Sequence, residues 1–190
     1  MSEIIHSDWY WYANKGWRIN SRKSGSRIDI LKCLLSQLSI MLERDSKVFM
    51  FRFDLRLAGY TDDNRCITNF NRRLFKRIKR HYKSTIGFAW VREIERSKKQ
   101  HYHYVLLLEG HKIRHPATIQ KWIQEIWNNY DGTPHWSGYA NLHREDETSI
   151  QKTVYWISYL AKPRGKGSNY RPAQTKDYGS SRLKSVKPTK

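Results

Sequence analysis

Ile86 to Leu108 reads IGFAWVREIERSKKQHYHYVLLL. Two hydrophobic runs, Ile86 to Glu95 and His101 to Leu108, flank the polar link Arg96-Ser-Lys-Lys-Gln100. Aromatic and branched residues in runs of this length, closed by a short polar segment, predict two strands of a β-hairpin. Successive strand side chains point to opposite faces, so His101 and His103 project side by side while Tyr102 points away. Two imidazoles so placed can hold one metal ion, or they can be a pair of polar surface groups. Glu93 and Glu95 share one parity on the preceding strand, across the turn from the histidines. Antiparallel pairing that brings one of them beside the pair gives two nitrogen ligands and a carboxylate. Such a mixed set, with open positions, suits Mn²⁺ or Mg²⁺. Glu93 is the expected third ligand, because Glu95 lies close enough to the turn to be a solvated rim charge.

The elements around this hairpin extend the pattern. Asp29 to Arg44 carries apolar residues at 31, 34, 35, 38, 41 and 42, one face of a helix. Lys47 to Leu57 alternates in part and reads as a strand, and Ile67, Phe70, Leu74, Ile78 and Tyr82 mark a second helix. Pro116 opens a third helix that ends at Asp131-Gly132. Trp136 to Leu142 is a short strand, and Thr148 with Gln151 forms a capping box for a last helix reaching about Lys162. The middle therefore runs strand-helix-strand-strand-helix-strand, the split β-α-β order. The expected fold is α+β, a ferredoxin-like or RRM-like antiparallel sheet with helices on one face and a tyrosine-bearing helix over the metal site. Residues 1–46 read as an aromatic extension and helix, 47–162 as the core, and 163–190 as a basic tail lacking apolar periodicity.

In the last helix Tyr155, Tyr159 and Lys162 are spaced four and three apart and share one face, with Lys152 beside them. A tyrosine used as nucleophile needs activation and placement, which a nearby cation and a metal-polarised phosphate supply. Packing aromatics are the alternative reading of these tyrosines. Tyr104-Val-Leu-Leu-Leu108 preceded by the two histidines, and Tyr155-Trp-Ile-Ser-Tyr159-Leu-Ala-Lys162, occur in the order of the motifs of HUH endonucleases, with Phe49 to Leu55 (FMFRFDL) in the place of the first motif. More narrowly, WVRE, HYHYVLLLEG, SYLAK and YGSSRL resemble the inovirus (filamentous phage) replication-initiator family of phages, prophages and satellite elements, over roughly residues 45–183.

The resemblance implies metal-dependent, site-specific nicking and joining of single-stranded DNA through a 5′-phosphotyrosine, initiating rolling-circle replication. It implies that His101, His103 and Glu93 bind the metal, that Tyr159 is the nucleophile, and that Lys162 stabilises or positions the phosphate. Tyr155 falls where two-tyrosine members carry their other tyrosine. Those members often have a lysine between the tyrosines, whereas Ser158 precedes Tyr159 here. Asp54 of the first motif can approach the metal or serve the strand end structurally.

The chain of 190 residues has 36 Lys and Arg against 17 Asp and Glu, a net charge of +19. Such an excess attracts polyanions, nucleic acid first among them. Arg72, Arg73, Lys76 and Arg77 on the second helix, with Arg164, Lys166, Arg171 and Arg182 in the tail, are the expected phosphate contacts. Hydrophobic residues make up 38% of the chain and aromatics 14%, enough to build a core and too many for a disordered protein. Cys33 and Cys66 read as reduced packing residues. No run is long enough for a membrane span and no secretory signal opens the chain, so a bacterial cytoplasm is the expected compartment. Replication of an origin would draw on a host helicase and polymerase. The rival readings are a non-catalytic prophage DNA-binding regulator on the same scaffold, and an HUH transposase or relaxase.

Overall fold

The computed structural model describes residues 2–94, 100–166 and 175–186. Its centre is a five-stranded antiparallel sheet built from β5 (Lys47–Arg56), β6 (Ile86–Ile94), β7 (Gln100–Glu109), β8 (Thr133–His143) and β9 (Tyr178–Ser180), in the order β8-β5-β7-β6-β9. Helix α2 (Arg65–Tyr82) joins β5 to β6, and α3 (Ala117–Trp127) joins β7 to β8. The first four strands thus have the split β-α-β topology that the sequence predicts, with the histidine strand β7 between β5 and β6.

Helices cover both faces of the sheet, and the helix Ile28–Arg44 joins the tyrosine helix on the histidine side. Ile67, Phe70, Leu74 and Ile78 of α2, with Ile119, Ile123, Ile126 and Trp127 of α3, pack on Phe49, Phe51, Phe53, Tyr102 and Tyr104. On the opposite face Val48, Met50, Val91, Val105 and Leu107 are covered by α1 (Ile28–Arg44) and α4 (Glu147–Ser158). The reason lies in the central strands. Val48 to Phe51 and Val105 to Leu108 are apolar at both parities and fully buried. A strand apolar on both sides needs cover on both.

Described segments near both ends of the chain belong to this structure. Leu31, Leu34, Leu38 and Met41 make the helix expected within residues 1–46 a core helix, α1. Before it, β1 (Ile4–Ile5) pairs with β4 (Ser26–Arg27), and β2 (Trp9–Tyr12) pairs with β3 (Lys15–Arg18). The β2–β3 turn places Ala13 and Asn14 at φ 50° and 60°, the left-handed pair that matches the twist of a two-residue hairpin. At the other end, β9 adds to the free edge of β6, with Val91 opposite Tyr178 and Ala89 opposite Ser180. The buried Asp177 accepts from Arg27 Nη1 at 2.6 Å, and its carbonyl accepts from the Arg92 N–H. Within the stretch expected to be a basic tail, Tyr178–Ser180 therefore form a strand of the sheet.

Two features seat α4. Asp146, rather than Thr148, caps it by accepting from the Ser149 N–H at 3.0 Å. Gln151 is taken up instead by β3, bonding both to the Arg18 carbonyl and to its N–H. A bulge in β8 between the partners of Arg52 and Phe53 brings Gly138, at φ 130°, under the Trp156 ring. A side chain at 138 would press on that ring, so this glycine lets α4 lie close to the sheet.

Candidate metal and nucleophile site

The β6–β7 register sets Glu93 opposite His101 and Val91 opposite His103. On the other side, β5 sets Asp54 opposite His103. Glu93, His101 and His103 bring one ligand atom each to within 4.8 Å of one another, and all three lie on the face covered by α1 and α4. The His101 and His103 rings stand edge to face, 4.7 Å between centroids. Two imidazoles and a carboxylate are a donor set that could hold a metal ion. Glu95 lies outside the described residues.

His103 is clamped from both ends. Its Nδ1 is 2.7 Å from Asp54 Oδ1, and its Nε2 is 3.1 Å from Glu93 Oε2. An imidazole that donates from one nitrogen to a carboxylate presents the other nitrogen in a fixed orientation and tautomer, the usual second layer of a metal site. Asp54 therefore has a role on the histidine, and it follows from its place in the register. Burial disfavours charge at all three groups, but their mutual bonds prevail. Asp54 is held below the usual carboxylate range by His103, and His103 is raised by Asp54 and Glu93. Glu93, bonded to His103 and facing the charge of Lys166, is held down at about 2.

Lys166 is the largest departure from the sequence reading. Expected to meet DNA phosphate from a tail, its side chain is only 1% exposed and its Nζ lies 3.0 Å from Glu93 Oε2. The chain reaches this point because Gly165, at φ 65°, packs its backbone against Glu93 and accepts from the Ile94 N–H at 3.0 Å. A Cβ at 165 would come 2.6 Å from Glu93 Cγ. The buried carboxylate requires a compensating cation, and Lys166 provides one.

Helix α4 ends at Ser158, and Tyr159 begins a 3₁₀ turn that runs to Ala161. Tyr159 is 47% exposed. The Arg52 guanidinium sits 5.6 Å from its ring centroid and 5.5 Å from that of Trp156, and donates to the Trp156 carbonyl. Arg52 shares its sheet face with Asp54, two residues along β5, so one short run of strand links the neighbour of Tyr159 to the partner of His103. Tyr155 lies a turn earlier, with Arg18 5.9 Å from its ring centroid. Lys162 falls beyond the turn, and its ammonium donates to the Arg22 carbonyl rather than standing on a shared helical face.

The expected phosphate contacts are dispersed. Arg72, Arg73 and Lys76 are exposed on α2, which covers the opposite face of the sheet from the histidines, and Arg77 is paired with Glu125 of α3. Arg164 and Arg182 are exposed; Arg171 lies outside the described residues. Reading from sequence missed Arg52, the binding of Lys166 to Glu93, and His135, whose Nδ1 on β8 is 3.9 Å from Asp54 Oδ2. The alternation Phe51-Arg-Phe-Asp-Leu-Arg56 did carry a signal: it places Arg52, Asp54 and Arg56 together on one face.

Residues 12–131 match the YagK/YfjJ C-terminal domain. The chain belongs to that family. It is a prophage-associated family, and the matched stretch contains Asp54, Glu93, His101 and His103 but stops short of α4. No curated protein matches the chain significantly. Among the described residues no helix is long and apolar enough to cross a membrane.

Proposed function

We propose that this protein is a metal-dependent endonuclease that nicks and rejoins single-stranded DNA by the HUH mechanism, with Tyr159 as nucleophile, in the replication of a phage-related element. The observation that carries this reading is the clamped His103, with His101 and Glu93 beside it, on the sheet face that α4 covers. The nitrogen and oxygen donors suit Mn²⁺ or Mg²⁺. A divalent cation bound there would polarise the scissile phosphate. Asp54 orients the imidazole of His103 through Nδ1, so that Nε2 and Glu93 would both face the cation. Tyr159 attacks phosphorus, its proton leaves to water, and the 3′ oxygen departs, leaving a 5′-phosphotyrosine. Arg52 keeps a fixed positive charge beside the nucleophile, where the phosphate has to approach. Rejoining is the same step reversed, with a 3′ hydroxyl displacing the tyrosine.

The test is incubation with origin-region single strands and Mn²⁺, followed by denaturing electrophoresis for a covalent protein–DNA adduct. The adduct is expected from the wild type and lost in His101→Ala, His103→Ala and Tyr159→Phe. DNA binding without any adduct would instead support a non-catalytic DNA-binding protein on this scaffold.

A further inference from the structure

The β2–β3 hairpin has two unlike faces. Directly paired residues of an antiparallel ladder project on the same side. Tyr10 pairs with Trp17 and Tyr12 with Lys15; the aromatics of this set pack toward the α1/α4 core. Trp9 pairs with Arg18 and Trp11 with Gly16, and these face outward. Trp9 is 54% exposed and Trp11 73%, with the Trp11 ring resting over Gly16. Two exposed indoles on a hairpin whose other face is anchored in a core cost solubility and leave most of their surface open to solvent. The hairpin is also fixed to the candidate nucleophile helix, through the paired bonds of Arg18 with Gln151 and a bond from the Asn20 N–H to Ser158 Oγ at 2.8 Å.

We infer that Trp9 and Trp11 form a stacking platform for unpaired bases, holding single-stranded DNA next to α4. Charge selects this occupant. Arg18 flanks the indoles and lies over the Tyr155 ring, and the exposed Lys23 lies close enough to Lys162 to act on its charge. The acidic groups nearby are Asp8, which also faces Lys162 and is engaged by the Ser21 hydroxyl at 3.0 Å, Glu147, paired with Lys15 at 2.8 Å, and Glu3 beside Tyr10. Indoles bordered by cations fit a ligand with π faces and a phosphate backbone. Residues two apart on a strand are about 6.5–7 Å apart, roughly twice the rise per nucleotide of a stacked strand, so each ring can take one base of an extended chain. The platform supplies the binding that the proposed reaction needs on the same face as Tyr159, whereas the basic side of α2 lies beyond the sheet.

The inference rests on the reading of the protein as one that acts on single strands, and its test separates the two. Fluorescence anisotropy compares a labelled oligothymidylate with an abasic strand of equal length and charge. The wild type is expected to prefer the strand with bases. Trp9→Ala/Trp11→Ala should lose about tenfold or more in affinity for it, leave the abasic strand within about twofold, and keep the salt dependence, while Trp9→Phe/Trp11→Phe keeps most of the preference. Equal binding of both strands by the wild type, or an unchanged preference in the double alanine variant, would overturn the platform. So would a change from dimer to monomer in that variant with DNA affinity intact, which would make the patch a contact between copies. Loss of the preference in a protein that forms no covalent adduct would retain the platform and remove the nicking reaction.

Discussion

At the scale of single residues, the candidate site is a line of alternating charge: Arg52, Asp54, His103, Glu93, Lys166. Its last member makes the proposed metal binding testable without any DNA. Lys166→Met removes the cation from a carboxylate that is mostly buried, and breaking such a pair costs about 3–5 kcal/mol. The variant should melt well below the wild type in chelator and recover more of that loss in Mn²⁺ than the wild type gains, because the metal then neutralises Glu93. Equal gains in both would mean that the ion binds elsewhere. Much of this line was legible in the sequence. The parity of His101 and His103 and the hairpin that brings Glu93 to them need only the period of a strand. Lys166 was hidden because nothing in Pro163-Arg-Gly-Lys166 announces a return to the sheet; only the positive φ of Gly165 and its fit against Glu93 explain it.

Elements decide which tyrosine is open to solvent. The 3₁₀ turn at the end of α4 turns Tyr159 toward solvent beside Arg52, while Tyr155 is partly covered within the helix near Arg18. Tyr155→Phe should retain adduct formation to within a few-fold, and peptide mapping by mass spectrometry should find the DNA on Tyr159. An adduct on Tyr155 alone would reverse the assignment. Helix periodicity located α4 and its tyrosines, but it could not tell where the α-helix tightens, and so it placed Lys162 on a face that ends before reaching it. The order of the first four sheet strands was likewise legible. The tyrosine helix over the histidine face was expected; that α1 shares this face was not, although the unbroken apolar runs of β5 and β7 called for wider cover.

Across the whole molecule, charge and strand edges set the response to conditions. Asp29 and Glu109 are both held below the usual carboxylate range: burial opposes their charge, but Arg27 outweighs it at Asp29, and Lys112 with Thr85 at Glu109. A depressed folded pKa stabilises above the unfolded value, near pH 4, and that contribution is lost as pH falls through the folded value. The melting temperature should therefore drop on acidification below about pH 4.5. Asp29→Asn should flatten that fall, and an unchanged profile would show that the Arg27 pair carries none of it.

Strand β9 has a consequence for any shortened form of the chain. Its three residues occupy the outer hydrogen-bonding groups of β6, the strand that carries Glu93. Cut after Lys162, the protein would present a strand edge nine residues long, apolar over most of its length, to every other copy in solution. Unprotected edges of this kind recruit one another into aggregates. The C-terminal segment thus covers this edge as well as bringing Lys166 to the site. Light scattering of the truncated form should show growing particles at concentrations where the full chain shows none.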